Sequence, residues 1–168
     1  MSTKVATRQK PSDTLDTGID AKERRDLAER LKGLLADTYV LLIKTHVYHW
    51  NVVGPLFVPL HELTDKHYND LFAATDELAE RIRALDVKAP LSFAEFLERT
   101  NISEETRNRS ELEMVENLIG EHEKISRHFR EAAKPAGEAG DLVTVDLITR
   151  RLAFHEKAIW MLRATVGK

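Results

Sequence analysis

Apolar residues recur at steps of three and four through most of the chain, the period of an amphipathic helix. The first such run takes Leu27, Leu31, Leu34, Thr38, Leu41, Leu42, Thr45 and His49. Asp20 stands where an N-cap belongs, and Glu23 follows three residues on, as in a capping box. Asn51-Val52-Val53-Gly54-Pro55 closes this helix, since Gly and Pro both interrupt helices. A second run begins near Pro59 and takes Leu60, Leu63, His67, Leu71, Thr75, Leu78, Ile82 and Leu85, stopping before Pro90. The third takes Leu112, Val115, Leu118, Ile119, His122, Ile125, Phe129 and Ala132, and ends at Lys134-Pro135. Gly137 and Gly140 make the next turn, and a fourth run takes Leu142, Val145, Ile148, Leu152, His155, Ile159 and Leu162. Residues 86–110 form a long connection in which Ser92–Glu98 fits a short capped helix. Residues 1–20 carry no such period and read as a flexible tail. The pattern predicts an all-α four-helix bundle over residues 21–168 with one long crossover, rather than an up-down-up-down bundle.

Composition narrows this picture. Gly and Pro together number 12 of 168 residues, about 7% against a typical ~12%, which disfavours a loop-rich β-sandwich. The absence of cysteine excludes a disulfide scaffold, thiolate metal sites and a thiol nucleophile. A net charge of −3 excludes a wholesale basic nucleic-acid-binding domain. The N-terminus has no apolar signal-peptide core, and no apolar run approaches the ~20 residues of a membrane helix. The expectation is a soluble cytoplasmic protein with no membrane partner, in which any nitrogen ligands come from the seven histidines.

Candidate chemistry concentrates on the second helix. His61 and Asp65 are four residues apart, as are Asp76 and Glu80, so each pair shares a face. Asp65 to Asp76 is eleven residues, which returns to within roughly 20° of the same azimuth. All four groups therefore line one stripe. Leu60, Phe72, Leu78 and Ala79 flank it, so it is expected to face the bundle's apolar side, where unpaired carboxylates are costly. Eleven residues also rise by about 16 Å, too far for both pairs to hold one ion within a chain. An antiparallel copy across a twofold axis would bring His61 and Asp65 of one chain beside Asp76 and Glu80 of the other, giving two equivalent sites. His49 could complete the nitrogen ligands, and a sulfur-free, oxygen-rich set suits iron better than structural zinc.

Each pair alone has an ordinary reading. Asp76 and Glu80 could be a solvated face paired with Arg81 or Arg83, and His61–Asp65 a simple hydrogen-bonded pair. Only their conjunction raises the metal reading, and on the residues alone both readings stay open. The sequence disfavours an intrachain di-iron centre built on Glu-x-x-His pairs. The residues three before the seven histidines are Ile43, His46, Val58, Thr64, Ile119, Ile125 and Leu152, and none is Glu.

The segment Tyr48-His49-Trp50-Asn51-Val52-Val53-Gly54-Pro55-Leu56-Phe57, followed by Leu60-His61-Glu62 and Asp65, resembles the central motif of the Dps family, the ferritin-like DNA-binding proteins from starved cells. Asp76-Glu77-Leu78-Ala79-Glu80-Arg81-Ile82 resembles the family's D-x-x-A-E-R segment, and His155 to Leu162 its last helix. The resemblance spans roughly residues 22–166. It implies a ferritin-like bundle assembled as a hollow homododecamer, with intersubunit dinuclear iron centres at twofold interfaces. It also implies oxidation of Fe(II), with hydrogen peroxide as preferred oxidant, and storage of ferric oxide inside. The ligands it implies are His49, His61 and Asp65 from one subunit with Asp76 and Glu80 from its partner. Trp50 matches a tryptophan that quenches stray oxidising equivalents, or else packs the dimer interface. Asp141 and Asp146 resemble acids of an iron-entry pore, or are cap and surface residues. His46, one turn before His49, is a packed histidine or a further imidazole for the centre.

Lys4, Arg8 and Lys10 form a short basic arm, diluted by Asp13 and Asp16. Such an arm would contact DNA phosphates without sequence specificity, and twelve copies would act multivalently. The resemblance thus extends to DNA protection and nucleoid association. The rival reading is a nucleoid-structuring DNA-binding protein with little ferroxidase activity. A plain helical interaction module is a second rival.

Overall fold

In a computed structural model, residues 15–168 are described, and Lys4, Arg8 and Lys10 of the basic arm lie outside them. Five helices follow in order: α1 (Ala21–Asn51), α2 (Phe57–Ala84), α3 (Phe93–Arg99), α4 (Glu111–Glu138) and α5 (Leu142–Thr165). Among the described residues there is no strand, so the all-α bundle with a helix-bearing crossover is as expected. No helix is long and apolar enough to cross a membrane. The four long helices wrap a core led by Leu31, Leu41, Leu60, Leu71, Leu118, Ile125 and Phe129, all at most 1% exposed. Burial of such side chains contributes roughly 1.5–3 kcal/mol each, so the core dominates stability.

Capping explains most helix starts. The Asp20 carboxylate accepts from the Lys22 backbone N–H to open α1. Ser92 caps α3 through the Glu95 N–H. Ser110 and Glu113 form a reciprocal capping box at α4, satisfying two free backbone donors at once. The expected stop at Pro135 is a correction, because α4 continues through it to Glu138. A proline so near the end forfeits one backbone bond, while its own carbonyl still accepts from the Ala139 N–H at 3.0 Å. Likewise α2 starts at Phe57, two residues before the expected Pro59.

Two buried carboxylates tie the crossover to the bundle. Asp37 on α1, 1% exposed, accepts from the Thr100 hydroxyl (2.9 Å), the Asn101 backbone N–H (2.6 Å) and His128 Nδ1 (2.8 Å). Glu105 accepts from the Tyr48 hydroxyl at 2.5 Å and pairs with Arg109. Burial pushes the Glu105 carboxyl up, but the hydrogen bonds from Tyr48, Arg109 and the Arg107 N–H outweigh it and hold it down at about 2. A depressed folded-state pKa adds stability above the ordinary value of 4.5, and that stability is lost as pH falls from there toward 2. Glu105→Gln should therefore flatten the acid limb of a urea-unfolding profile between those pH values. An unchanged slope would show that this tether carries no linkage.

Candidate metal centre

The α1–α2 turn builds the first half of the site. Helix α1 ends where the Val52 N–H bonds back to the Tyr48 carbonyl, and the chain reverses through Gly54 at φ +101°. That φ disfavours any side chain, and a Cβ there would also lie 3.1 Å from the Glu111 carboxylate. The reversal lays α2 against α1 and stacks the His49 and His61 rings 3.8 Å apart at 17°. His49 Nδ1 lies 3.0 Å from the His61 carbonyl, and His61 Nδ1 lies 2.9 Å from the His49 carbonyl. A carbonyl only accepts, so both Nδ1 atoms carry the hydrogen. Nε2 of each ring is then the nitrogen left to ligate a metal, the arrangement a metal-binding imidazole needs.

Asp65 sits one turn along α2. Tyr68 donates its hydroxyl to Asp65 Oδ1 at 2.6 Å, leaving Oδ2 free, and this bond is the main reason the Tyr68 hydroxyl is pushed up. His49, His61 and Asp65 line one open cleft of about 280 Å³ with Glu62 and Lys66. His46 stacks between Trp50 (ring centroids 4.1 Å) and Tyr68 (4.2 Å), so it behaves as the packed histidine of the two readings. Burial, then the neighbouring His49, pushes its pKa down. Trp50 is 63% exposed beside these rings.

Asp76 and Glu80 lie on the same helix and are exposed. The stripe therefore points away from the bundle core, which corrects the expectation that it faces the apolar side. Phe72, 63% exposed, shares that outward face. Leu60 and Leu78, fully buried, turn inward from neighbouring positions. These acids form the solvated face of the ordinary reading, without its pairing to Arg81 or Arg83. Arg81 binds Asp141 (2.7 Å) and the Thr144 hydroxyl (2.9 Å), and Arg83 donates to the Val87 carbonyl. Among the described residues neither Asp76 nor Glu80 has an ion-pair partner. Among the described residues no three His, Asp or Glu side chains of one chain, His49, His61 and Asp65 included, converge closely enough to hold a metal ion by themselves.

The two pore candidates separate. Asp141 is 1% exposed, accepts from Arg81 and caps α5 through the Thr144 N–H at 3.0 Å. Burial pushes its carboxyl up, and these bonds together bring it below the usual range. Of its two readings, cap and pore, the structure shows the cap: Oδ1 accepts from Arg81 and the Thr144 N–H, and Oδ2 from the Thr144 hydroxyl. Asp146 is on the surface, bonded to Arg150 at 3.0 Å.

Four long helices joined by a helix-bearing crossover are the arrangement of a ferritin-like protein. The ferritin-like domain model matches residues 28–168. Similarity narrows this to a branch. The DNA protection during starvation protein of Porphyromonas gingivalis is 38% identical over 152 residues, covering 90% of this chain and 96% of that protein. Antigen TpF1 of Treponema pallidum is 39% identical over 150 residues, covering 88% and 84%. The crystal structure of the Dps protein of Vibrio cholerae, described as a member of the ferritin-like diiron-carboxylate superfamily, superposes with a TM-score of 0.87 at 32% identity, over 95% of this chain and 100% of that one. The chain belongs to the Dps family of ferritin-like proteins.

Proposed function

We propose that this protein is a Dps-type ferroxidase and iron store, with Fe(II) as substrate and hydrogen peroxide as oxidant. The observation that carries the reading is the reciprocal lock of His49 and His61, which presents two Nε2 lone pairs beside the free oxygen of Asp65. Asp76 and Glu80, unpaired and outward, are the complementary half that a second chain supplies across a twofold axis. The dinuclear iron site is thus intersubunit, in a homododecamer that encloses the ferric product.

The chemistry suits the ligands. Two Fe(II) ions give one electron each to one peroxide, whose O–O bond breaks to yield two hydroxides and no hydroxyl radical. Carboxylates are hard anionic donors and favour the ferric product. Tyr68 orients Asp65 through its hydroxyl, and Trp50 stands close enough to the rings to be oxidised in place of other targets. DNA protection follows from removing both reactants of radical formation. Lys4, Arg8 and Lys10 add non-specific DNA contact and nucleoid association of a cytoplasmic particle.

Anaerobic Fe(II)-loaded protein titrated with hydrogen peroxide should consume one peroxide for every two Fe(II). The particle mass should be that of twelve chains. One peroxide for each Fe(II), with spin-trapped hydroxyl radical, would overturn the reading in favour of a DNA-structuring protein.

A further inference from the structure

His122 on α4 and His155 on α5, both 0% exposed, meet inside the bundle with their Nδ1 atoms 2.8 Å apart. Phe154 packs against both imidazoles, its ring centroid 5.9 Å from that of His122 and 5.1 Å from that of His155. The same ring carries the Arg151 guanidinium at 4.5 Å, and the His67 ring of α2 lies 5.6 Å from that of His122. Burial first, then the neighbouring histidines and Arg151, holds both rings of the pair well below the ordinary 6.5. Among the described residues, Nε2 of each ring and Nε and Nη2 of Arg151 are buried without a hydrogen-bond partner. Such atoms are rare and costly, so water gains more by entering here than elsewhere in the core.

The enclosed pair resists protons. In the neutral pair one Nδ1–H donates to the lone pair of the other Nδ1. A first added proton must go to the Nε2 that still has a lone pair, where it meets no acceptor. A second puts hydrogens on both Nδ1 atoms, and two donors then face each other at 2.8 Å. Compensating charge is scarce. Arg151 is already a cation and holds Asp70 of α2 at 2.7 Å. Burial pushes His67 down to about 4. The buried charges of α1, Arg24, Asp37 and Lys44, are engaged by the Ile19 carbonyl, His128 and Glu121 of α4. Once the helices part, each ring takes a proton from water at about 6.5. The closed pair therefore adds stability above that pH, and the contribution is lost as pH falls below it. Water also has a route, because a cleft of about 310 Å³ between α2 and α5 is lined by His67, Asp70 and Phe154. Phe154 is thus the wall between the cleft and the pair.

We propose that the His122–His155 pair is an acid-sensitive clasp. While both rings are neutral, α2, α4 and α5 stay closed around it, and acid opens these three faces to water before the rest of the bundle unfolds. The clasp is separate from the candidate metal centre, so it persists in a His61→Ala chain.

The test is amide hydrogen exchange of the whole protein at about pH 7.5 and pH 5.5, with intrinsic exchange rates divided out. An opening that frees both rings should become about a hundredfold more frequent over that interval, about tenfold for each ring. The rise should appear at the amides of residues 118–126 and 151–158, while those of Leu27 to Leu35 on α1 show no comparable rise. His155→Gln is neutral at every pH and should leave about a tenfold rise. His122→Gln combined with His155→Gln should abolish it. If the double variant does not fold, the single variant and the contrast between helices in the unaltered chain still decide. A rise equal along all four long helices, no rise at all, or an undiminished rise in either variant would each overturn the proposal.

Discussion

A chain carrying His61→Ala and Asp65→Ala loses peroxide-dependent iron oxidation, and so does a chain carrying Asp76→Ala and Glu80→Ala, yet co-assembly of the two restores it in part. Each twofold dimer holds two sites, and each site takes one half from either chain. In a hybrid dimer one site receives both damaged halves and the other receives both intact ones. Random one-to-one assembly makes half the dimers hybrid, so about a quarter of wild-type activity returns. Stopped-flow measurement of ferric absorbance reads this directly. The rise per residue along α2 is the reason for the expectation. The two acid pairs are about 16 Å apart on one rigid helix, and no side-chain motion closes that gap. If all the ligands served sites within one chain, mixing would restore nothing, and zero recovery would sink the intersubunit reading.

The sequence carried the candidate ligand residues more openly than their setting. His49, His61 and Asp65 are legible because the helix-breaking Asn51–Pro55 segment between two periodic runs forces α1 and α2 into contact. The reciprocal Nδ1–carbonyl bonds are not legible, since they depend on the depth of that turn. The direction of the acid stripe was misread for a similar reason. On a helical wheel His61 and Asp65 lie beside Leu60 and Phe72, and the pattern alone does not say which apolar neighbour is buried. The structure answers with Leu60 at 0% and Phe72 at 63% exposure. Asp141 reads in the sequence as either a cap or a pore acid. Its partner Arg81 lies 60 residues away in sequence. The buried cluster was missed outright. His67, His122 and His155 each sit alone among apolar positions of separate helices, and such isolated histidines signal nothing until the helices are packed. A usable clue was present, because His122 keeps step with Leu118, Ile125 and Phe129 and so belongs to the core face of α4.

Lys44→Met should be the most damaging single substitution of a polar residue. Lys44 on α1 lies 2.6 Å from Glu121 on α4, with side chains 3% and 7% exposed. The net worth of such a pair is small, because desolvating two charges offsets most of their attraction. Removing one partner is different. Glu121 would remain buried with only Lys124, a neighbour on its own helix at 3.0 Å and 36% exposed. Loss of a buried partner costs up to about 3–5 kcal/mol, reduced by what Lys124 still supplies, which for a chain of this size lowers the melting temperature by at most about 6–20 °C. Lys44→Met combined with Glu121→Leu removes both charges and fills the same volume with apolar atoms. Lys124 stays near the surface, within 3.3 Å of the Asn101 carbonyl, so it loses little. The double variant should therefore recover most of the loss, leaving the two changes strongly non-additive. Calorimetry of the three variants measures the coupling. Equal, additive losses would mean that the pair acts as two independent packing elements rather than as a desolvated ion pair.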